Sequence, residues 1–72
     1  MINNDRDTVE KLAEDTTRVR TNKGARFEGY CCGWYYNEHL KHYGLVVSVT
    51  RGIFAGTVHV YPTTQLEIVD ED

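Results

Sequence analysis

Six glycines divide the middle of the chain into short segments, and their spacing limits the possible folds more than any other feature. They stand at positions 24, 29, 33, 44, 52 and 56. The segments around them are rich in β-branched and aromatic residues, which favour strands. We therefore predict a helical turn after Pro62 and strands at residues 18–21, 26–36, 43–50, 56–61 and 66–69.

Five short strands separated by turns are typical of a small antiparallel barrel. Within residues 17–70 the architecture that fits is an all-β, five-stranded SH3-like barrel. Residues 1–16 form a separate acidic arm, and residues 71–72 form an acidic tail. The chain of 72 residues has room for one small domain only.

The acidic arm carries one short apolar stripe with helical spacing, formed by Val9, Leu12 and Ala13. Asp7 or Thr8 can cap such a helix at its start. Because the stripe is short, the helix is marginal by itself. The sequence thus leaves two forms open for the arm, a short helix or a disordered segment.

Charge is distributed unevenly along the chain. The net charge is −3, but residues 17–64 contain six basic and two acidic side chains, whereas residues 1–16 and 65–72 are both acidic. A basic body suits an anionic ligand. Acidic segments on both sides of it disfavour nucleic acid as the partner, and solubility alone also explains the charge.

The composition also predicts the cellular environment. No apolar run approaches the roughly 18 residues that a membrane span needs, and the polar start of the chain is unlike a secretory signal. The two cysteines cannot form a disulfide framework. We expect reduced thiols, a cytoplasmic location and no membrane partner.

A chain this short buries a small core, and self-association is a common remedy for the marginal stability that results. The apolar run Ile53, Phe54 and Ala55 lies between two glycines, at the expected tip of a hairpin. Small proteins rarely expose such a cluster without a use. We expect a subunit contact here, with packing back onto the barrel as the alternative.

Two motifs occur in the same order as in a known family. They are Gly33-Trp34-Tyr35 and Val58-His59-Val60-Tyr61-Pro62. Across roughly residues 17–69 the chain resembles the plasmid-encoded type II dihydrofolate reductases, which act in one-carbon metabolism and confer trimethoprim resistance. The resemblance implies an NADPH-dependent oxidoreductase in which four SH3-like barrels enclose one pore, where NADPH and dihydrofolate meet.

The resemblance implies a role for each residue of the last motif. Tyr61 stands at the family's pore tyrosine, and Val60 stands at the isoleucine whose backbone contacts nicotinamide and pterin. His59 replaces a glutamine that packs against both rings. Thr57 replaces a pore serine and retains a hydroxyl. On this basis His59 and Tyr61 are the candidate catalytic residues.

The family also uses a lysine to attract the negative charges of its ligands. Thr21 occupies that position here, and Lys23 lies two residues later. Arg20 and Arg26 flank this turn. We include Thr21 and Lys23 among the candidate ligand-binding residues, while a solvated charged turn is the plainer interpretation.

Hydride transfer between two bound rings requires mainly that the protein position them. Alternation along a strand would place Thr57, His59 and Tyr61 on one face, with Val58 and Val60 turned toward the core. An imidazole ionises near neutral pH, so His59 could also influence protonation of the pterin.

Each candidate has a plainer alternative. His59 could be a half-exposed strand histidine, and Tyr61 could pack at the barrel edge with its hydroxyl in water. SH3-like barrels also serve many functions. The second hypothesis is therefore a non-enzymatic module that binds a nucleotide, a nucleic acid or a protein.

Cys31-Cys32 followed by His39 and His42 raises the question of zinc. Neighbouring residues on a strand point to opposite faces, and zinc sites favour two to four residues between cysteine ligands. We therefore predict no metal site and interpret both cysteines as buried small thiols.

Overall fold

A computed structural model describes residues 2–22 and 26–69. The strands are β1 (Arg18–Thr21), β2 (Glu28–Asn37), β3 (His42–Arg51), β4 (Val58–Pro62) and β5 (Leu66–Ile68), with α1 (Arg6–Glu14) before them and the 3₁₀ turn η1 (Thr63–Gln65) between β4 and β5. All five predicted strands and the turn after Pro62 are confirmed, with ends displaced by two residues at most.

The strands form one antiparallel sheet in the order β4-β3-β2-β1-β5. This order, with β1 paired to both β2 and β5, is that of an SH3-like barrel, as the strand pattern predicts. Among the described residues no hydrogen bonds join β4 to β5, so the barrel has an open seam. The outer edge of β4 lies along this seam.

The core lies between the inner face of the sheet and α1. Its buried members are Ile2, Val9, Val19, Cys31, Leu45, Val47 and Leu66. The helix packs on β2 and β3, and it contributes Val9, which is completely buried. Burial of an aliphatic side chain of this size stabilises a fold by about 1.5–3 kcal/mol. Of the two forms left open for the arm, the structure has the helix.

Helix α1 begins at Arg6, before both of the predicted capping residues, because Asp5 caps it instead. Asp5 has extended backbone angles, and its carboxylate accepts hydrogen bonds from Thr8 N at 2.8 Å and Thr8 Oγ1 at 2.9 Å. Asn4 joins this end of the arm to the sheet, since its Oδ1 accepts from Tyr43 N at 2.7 Å. The expected cap at Asp7 or Thr8 is therefore wrong.

Candidate functional site

The geometry of β4 depends on a bulge at the start of the strand. Gly56 N donates to Val49 O, and Val49 N donates to Thr57 O, both at 2.9 Å. Gly56 adopts φ +92°, a conformation that glycine takes without steric cost. Beyond the bulge the register is regular, with His59 opposite Val47.

This register decides which backbone groups of β4 are free of the sheet. Antiparallel pairs alternate between hydrogen-bonded and non-hydrogen-bonded positions. Counting from the Val49–Thr57 bond, His59 and Tyr61 are hydrogen-bonded to β3. The N–H and C=O groups of Val58 and Val60 therefore point to the open seam. An edge of this kind can donate to and accept from a ligand or a second strand.

The same register directs the side chains, and here one expectation is wrong. Val58 and Val60 are 62% and 60% exposed, so they do not enter the core. His59 and Tyr61 turn inward instead and are half-buried, because their partners across the ladder are the buried Val47 and Leu45. Tyr61 packs against the core.

Four aromatic side chains meet at the inward-facing side of β4. We call them the aromatic cluster: Phe27, Phe54, His59 and Tyr61. Successive ring centroids are 5.0 Å apart for Phe27 and Phe54, 5.1 Å for Phe54 and His59, and 6.3 Å for His59 and Tyr61. The ring centroids of Tyr61 and Phe27 are 6.5 Å apart, so each of the four rings has two neighbours in the cluster. In the described part of the chain the aromatic cluster encloses no cavity. It therefore offers its rings as an open surface.

Thr57 lies beside the cluster, but its hydroxyl has a partner within the hairpin. Thr57 Oγ1 donates to Phe54 O at 2.6 Å, and Thr57 N donates to the same oxygen at 3.1 Å. The residue fixes the backbone that carries Phe54. In this conformation its hydroxyl serves the turn.

Thr21 has a comparable place in the other hairpin. It is 4% exposed. Its hydroxyl accepts from Phe27 N at 3.0 Å, and its own N–H donates to Phe27 O at 3.0 Å. Thr21 thus holds Phe27 in the aromatic cluster. Lys23, the other residue predicted at this turn, lies outside the described residues.

The basic side chains near this hairpin differ in their surroundings. Arg18 forms an ion pair with Glu28 at 2.7 Å, and its hydrogen bond holds the pKa of Glu28 below its usual range. Arg20 pairs with Glu67. Arg26 is exposed and immediately precedes Phe27. Its position next to Phe27 makes it a candidate to attract an anion toward the aromatic cluster.

Protonation of Tyr61 follows from its environment. Burial raises the pKa of its phenol above the ordinary value of 10.0. The hydroxyl therefore keeps its proton at neutral pH and can donate a hydrogen bond. Among the cluster residues it supplies a permanent side-chain donor.

The two cysteines lie on different sides of β2. Cys31 is buried, and Cys32 is exposed at an irregularity in the register. The interpretation as a buried thiol is confirmed for Cys31 and wrong for Cys32, because successive residues of a strand face opposite sides. Burial raises the pKa of the Cys31 thiol to about 11, with a smaller contribution from Cys32. Within residues 2–22 and 26–69 no three His, Cys, Asp or Glu side chains are grouped as a metal site would require.

Two members of the cluster, Phe27 and Phe54, are not predicted as site residues by the sequence. They belong to different hairpins and lie 27 positions apart in the chain. Their meeting depends on the fold, and the only sequence signal is the apolar hairpin tip. Phe54 packs back onto the barrel through its contact with Phe27, whereas Ile53 is 81% exposed.

Comparison with known proteins finds no matching family model, curated protein or solved structure. At nine residues, α1 is far shorter than a membrane span, and the described part of the chain contains no other α-helix.

Proposed function

We propose that this protein is a cytoplasmic, NADPH-dependent dihydrofolate reductase of the type II kind, with a site shared among several copies of the chain. One observation carries the proposal. The backbone groups of Val60 point to the open seam, and the side chains of His59 and Tyr61 lie beside them in the aromatic cluster. The resemblance places its ligand contacts at the same three residues.

The residues present suit the ligands that the proposal requires. Nicotinamide and pterin are flat rings that carry amide groups. The aromatic cluster offers rings for stacking, and the seam offers a backbone donor and acceptor at Val60. Arg26 supplies an exposed positive charge for a phosphate or carboxylate.

In the proposed mechanism the protein mainly positions its ligands. NADPH, when bound, supplies the hydride. Val60 orients the amide edges of the rings, and Tyr61 donates a hydrogen bond from its protonated phenol. His59 stacks on a ring and can hold a proton near the pterin. Holding two reactants in line accounts for a large share of such a rate enhancement.

Several copies are part of the proposal because one barrel offers a surface without an enclosed cavity in its described residues. Residues 52–66 contain no Asp, Glu, Lys or Arg, and Ile53, Val58 and Val60 are among the most exposed apolar side chains. An uncharged apolar edge permits close approach of identical chains. We propose a homotetramer, as the resemblance implies.

A non-enzymatic module remains the second candidate, and a specific observation favours it. Thr21, at the position of the family's lysine, is buried and contributes its hydroxyl to a hairpin. The open edge of β4 would equally receive an extended segment of a partner protein. Catalysis would not be expected in that case.

The deciding measurement is NADPH consumption with dihydrofolate, at a protein concentration that keeps a tetramer assembled. Turnover that is lost in His59→Ala and strongly reduced in Tyr61→Phe supports the reductase. Tyr36→Phe is the matched control, because Tyr36 is an exposed tyrosine whose ring contacts Tyr43 instead. A folded protein without turnover would overturn the reductase and favour the module.

A further inference from the structure

The hairpin between β3 and β4 is a compact turn that several backbone hydrogen bonds hold in place. Ala55 N donates to Gly52 O at 3.2 Å, and Gly56 N donates to Val49 O at 2.9 Å. Thr57 then gives both its N–H and its hydroxyl to Phe54 O. Two bonds on one carbonyl oxygen determine where the Phe54 backbone lies.

The glycine at the start of this turn is required by the same arrangement. Gly52 has φ +113°. A Cβ atom at this position would lie 2.8 Å from Cδ1 of Phe27 and 3.0 Å from Arg26 O. The tip of the hairpin therefore approaches Phe27 as closely as a residue without a side chain allows.

This close approach brings the ring of Phe54 back over the barrel. It lies between Phe27, at 5.0 Å and 52°, and His59, at 5.1 Å and 38°. Phe27 is itself fixed, being 9% exposed and bonded through its backbone to Thr21. Phe54 remains 44% exposed, so its place is set by these two rings and by the turn.

From these contacts we infer that Phe54 is a positioning residue, which holds the imidazole of His59 in one orientation, and that Thr57 acts through Phe54. Tyr61 is a second aromatic neighbour of the imidazole, with ring centroids 6.3 Å apart and an interplanar angle of 30°. Aromatic pairs prefer particular arrangements of their rings, so these neighbours favour one orientation of the imidazole. The catalytic consequence rests on the proposed function, whereas the orientation of His59 does not.

The orientation is tested by NMR of the histidine ring signals in the whole chain, assigned with His59→Ala. A ring 5.1 Å away imposes a ring-current shift on the His59 protons. Phe54→Ala is expected to abolish this shift, and Phe54→Tyr to restore it. Ile53→Ala is the matched control, since Ile53 is the next residue and is 81% exposed. Unchanged His59 signals in a folded Phe54→Ala would overturn the inference.

Thr57 provides a second test of the same inference. Thr57→Val removes the hydroxyl but keeps the shape, and it is expected to move the same His59 signals part of the way. Thr57→Ser retains the hydroxyl and should restore them. Identical His59 signals in Thr57→Val and the parent would show that Thr57 does not act on His59 through Phe54.

Kinetics separate this inference from the proposed function. If the parent turns over dihydrofolate, Phe54→Ala should lower kcat by about tenfold or more, since misplaced groups carry penalties of this order. Phe54→Tyr should recover most of it. A folded Phe54→Ala with shifted His59 signals but full kcat would contradict the catalytic consequence alone. A parent without turnover would overturn the reductase, and the NMR comparison would still decide the orientation.

Discussion

His59 lies directly opposite Val47 across the β3–β4 ladder, and this pairing determines how the edge strand presents its chemistry. Val47 is 3% exposed, so it marks the inner face of the barrel. Its partner therefore turns the imidazole inward. The next residue, Val60, turns its side chain outward and its backbone groups to the open seam. Along β4, residues whose side chains face inward therefore alternate with residues whose backbone groups face the open seam.

Proline substitution tests this alternation. In Val60→Pro the lost N–H points to the seam, and proline is accepted where a strand N–H faces away from the sheet. We expect the free energy of unfolding to change by about 1 kcal/mol or less. His59→Pro removes an N–H that pairs with β3, and an unsatisfied buried partner costs about 1–3 kcal/mol.

Denaturant unfolding of the two variants gives the comparison. Equal losses of stability, or a larger loss for Val60→Pro, would show that the register of β4 differs from the one described. If Val60→Pro folds, it also tests the proposed reductase, because a contact from the Val60 N–H to a ligand would be lost. Binding of NADPH would then weaken although the barrel remained intact.

The strands are predictable from the sequence because each has a local signal, in glycines, β-branched residues and alternation. The faces of β4 are not. Residues 57–61 alternate polar and apolar, which suggests valines inside, but the bulge at Gly56 and the pairing with Val47 direct His59 and Tyr61 inward. The aromatic cluster is also unpredictable, since Phe27 and Phe54 meet only through two separate hairpins.

Two glycines of β2 should respond differently to alanine. A Cβ atom on Gly29 would overlap the backbone oxygen of Ser48, and relieving this overlap requires β2 and β3 to separate. A Cβ atom on Gly33 would meet only the Val46 side chain at 3.5 Å, which is ordinary contact. We expect Gly29→Ala to cost about 3 kcal/mol or more and Gly33→Ala to cost less than about 1 kcal/mol.

Thermal unfolding of the two variants followed by circular dichroism is sufficient. Gly33→Ala serves as the control for the strand propensity of alanine, which is the same in both. A Gly29→Ala protein as stable as Gly33→Ala would be incompatible with the close approach of β2 and β3.

The acidic arm is expected to be essential for stability. Val9 is completely buried in the core and belongs to α1. Truncation in Val9→Ala removes two methyl groups and leaves a cavity, so we expect a loss of about 2 kcal/mol. Lys11→Ala, on the exposed side of the same helix, should have little effect. If Val9→Ala and Lys11→Ala melt at the same temperature as the parent, α1 does not pack on the sheet.

Glu28 should give the protein a sensitivity to acid. Its hydrogen bond to Arg18 lowers its folded pKa below 4.5, with Arg51 and Arg20 contributing through their charges. A carboxylate of this kind stabilises the fold above its unfolded pKa, and the contribution is lost as the pH falls through the lower folded value. In Glu28→Gln the decline in stability below pH 4.5 should be shallower.

Stability measured against pH for the parent and Glu28→Gln tests this, with Glu38→Gln as control. Glu38 is exposed in the β2–β3 turn, so its replacement should leave the acid limb of the curve as steep as in the parent. Curves of equal steepness for Glu28→Gln and the parent would mean that the ion pair does not couple folding to protonation.

The uncharged edge provides the test of assembly. Val58 is 62% exposed on β4, within the run of residues 52–66 that carries no charge. A lysine there leaves the isolated barrel intact, because the side chain points to solvent, but it places like charges at a contact between identical chains. We therefore expect Val58→Lys to lower the molecular mass measured by light scattering toward that of one chain, 8.3 kDa.

Leu40→Lys adds the same charge at a residue that is 70% exposed in the opposite hairpin, and it should leave the mass unchanged. A parent that already has the mass of one chain at high concentration would contradict the shared site, and equal masses for the parent and Val58→Lys would place the contact elsewhere on the barrel.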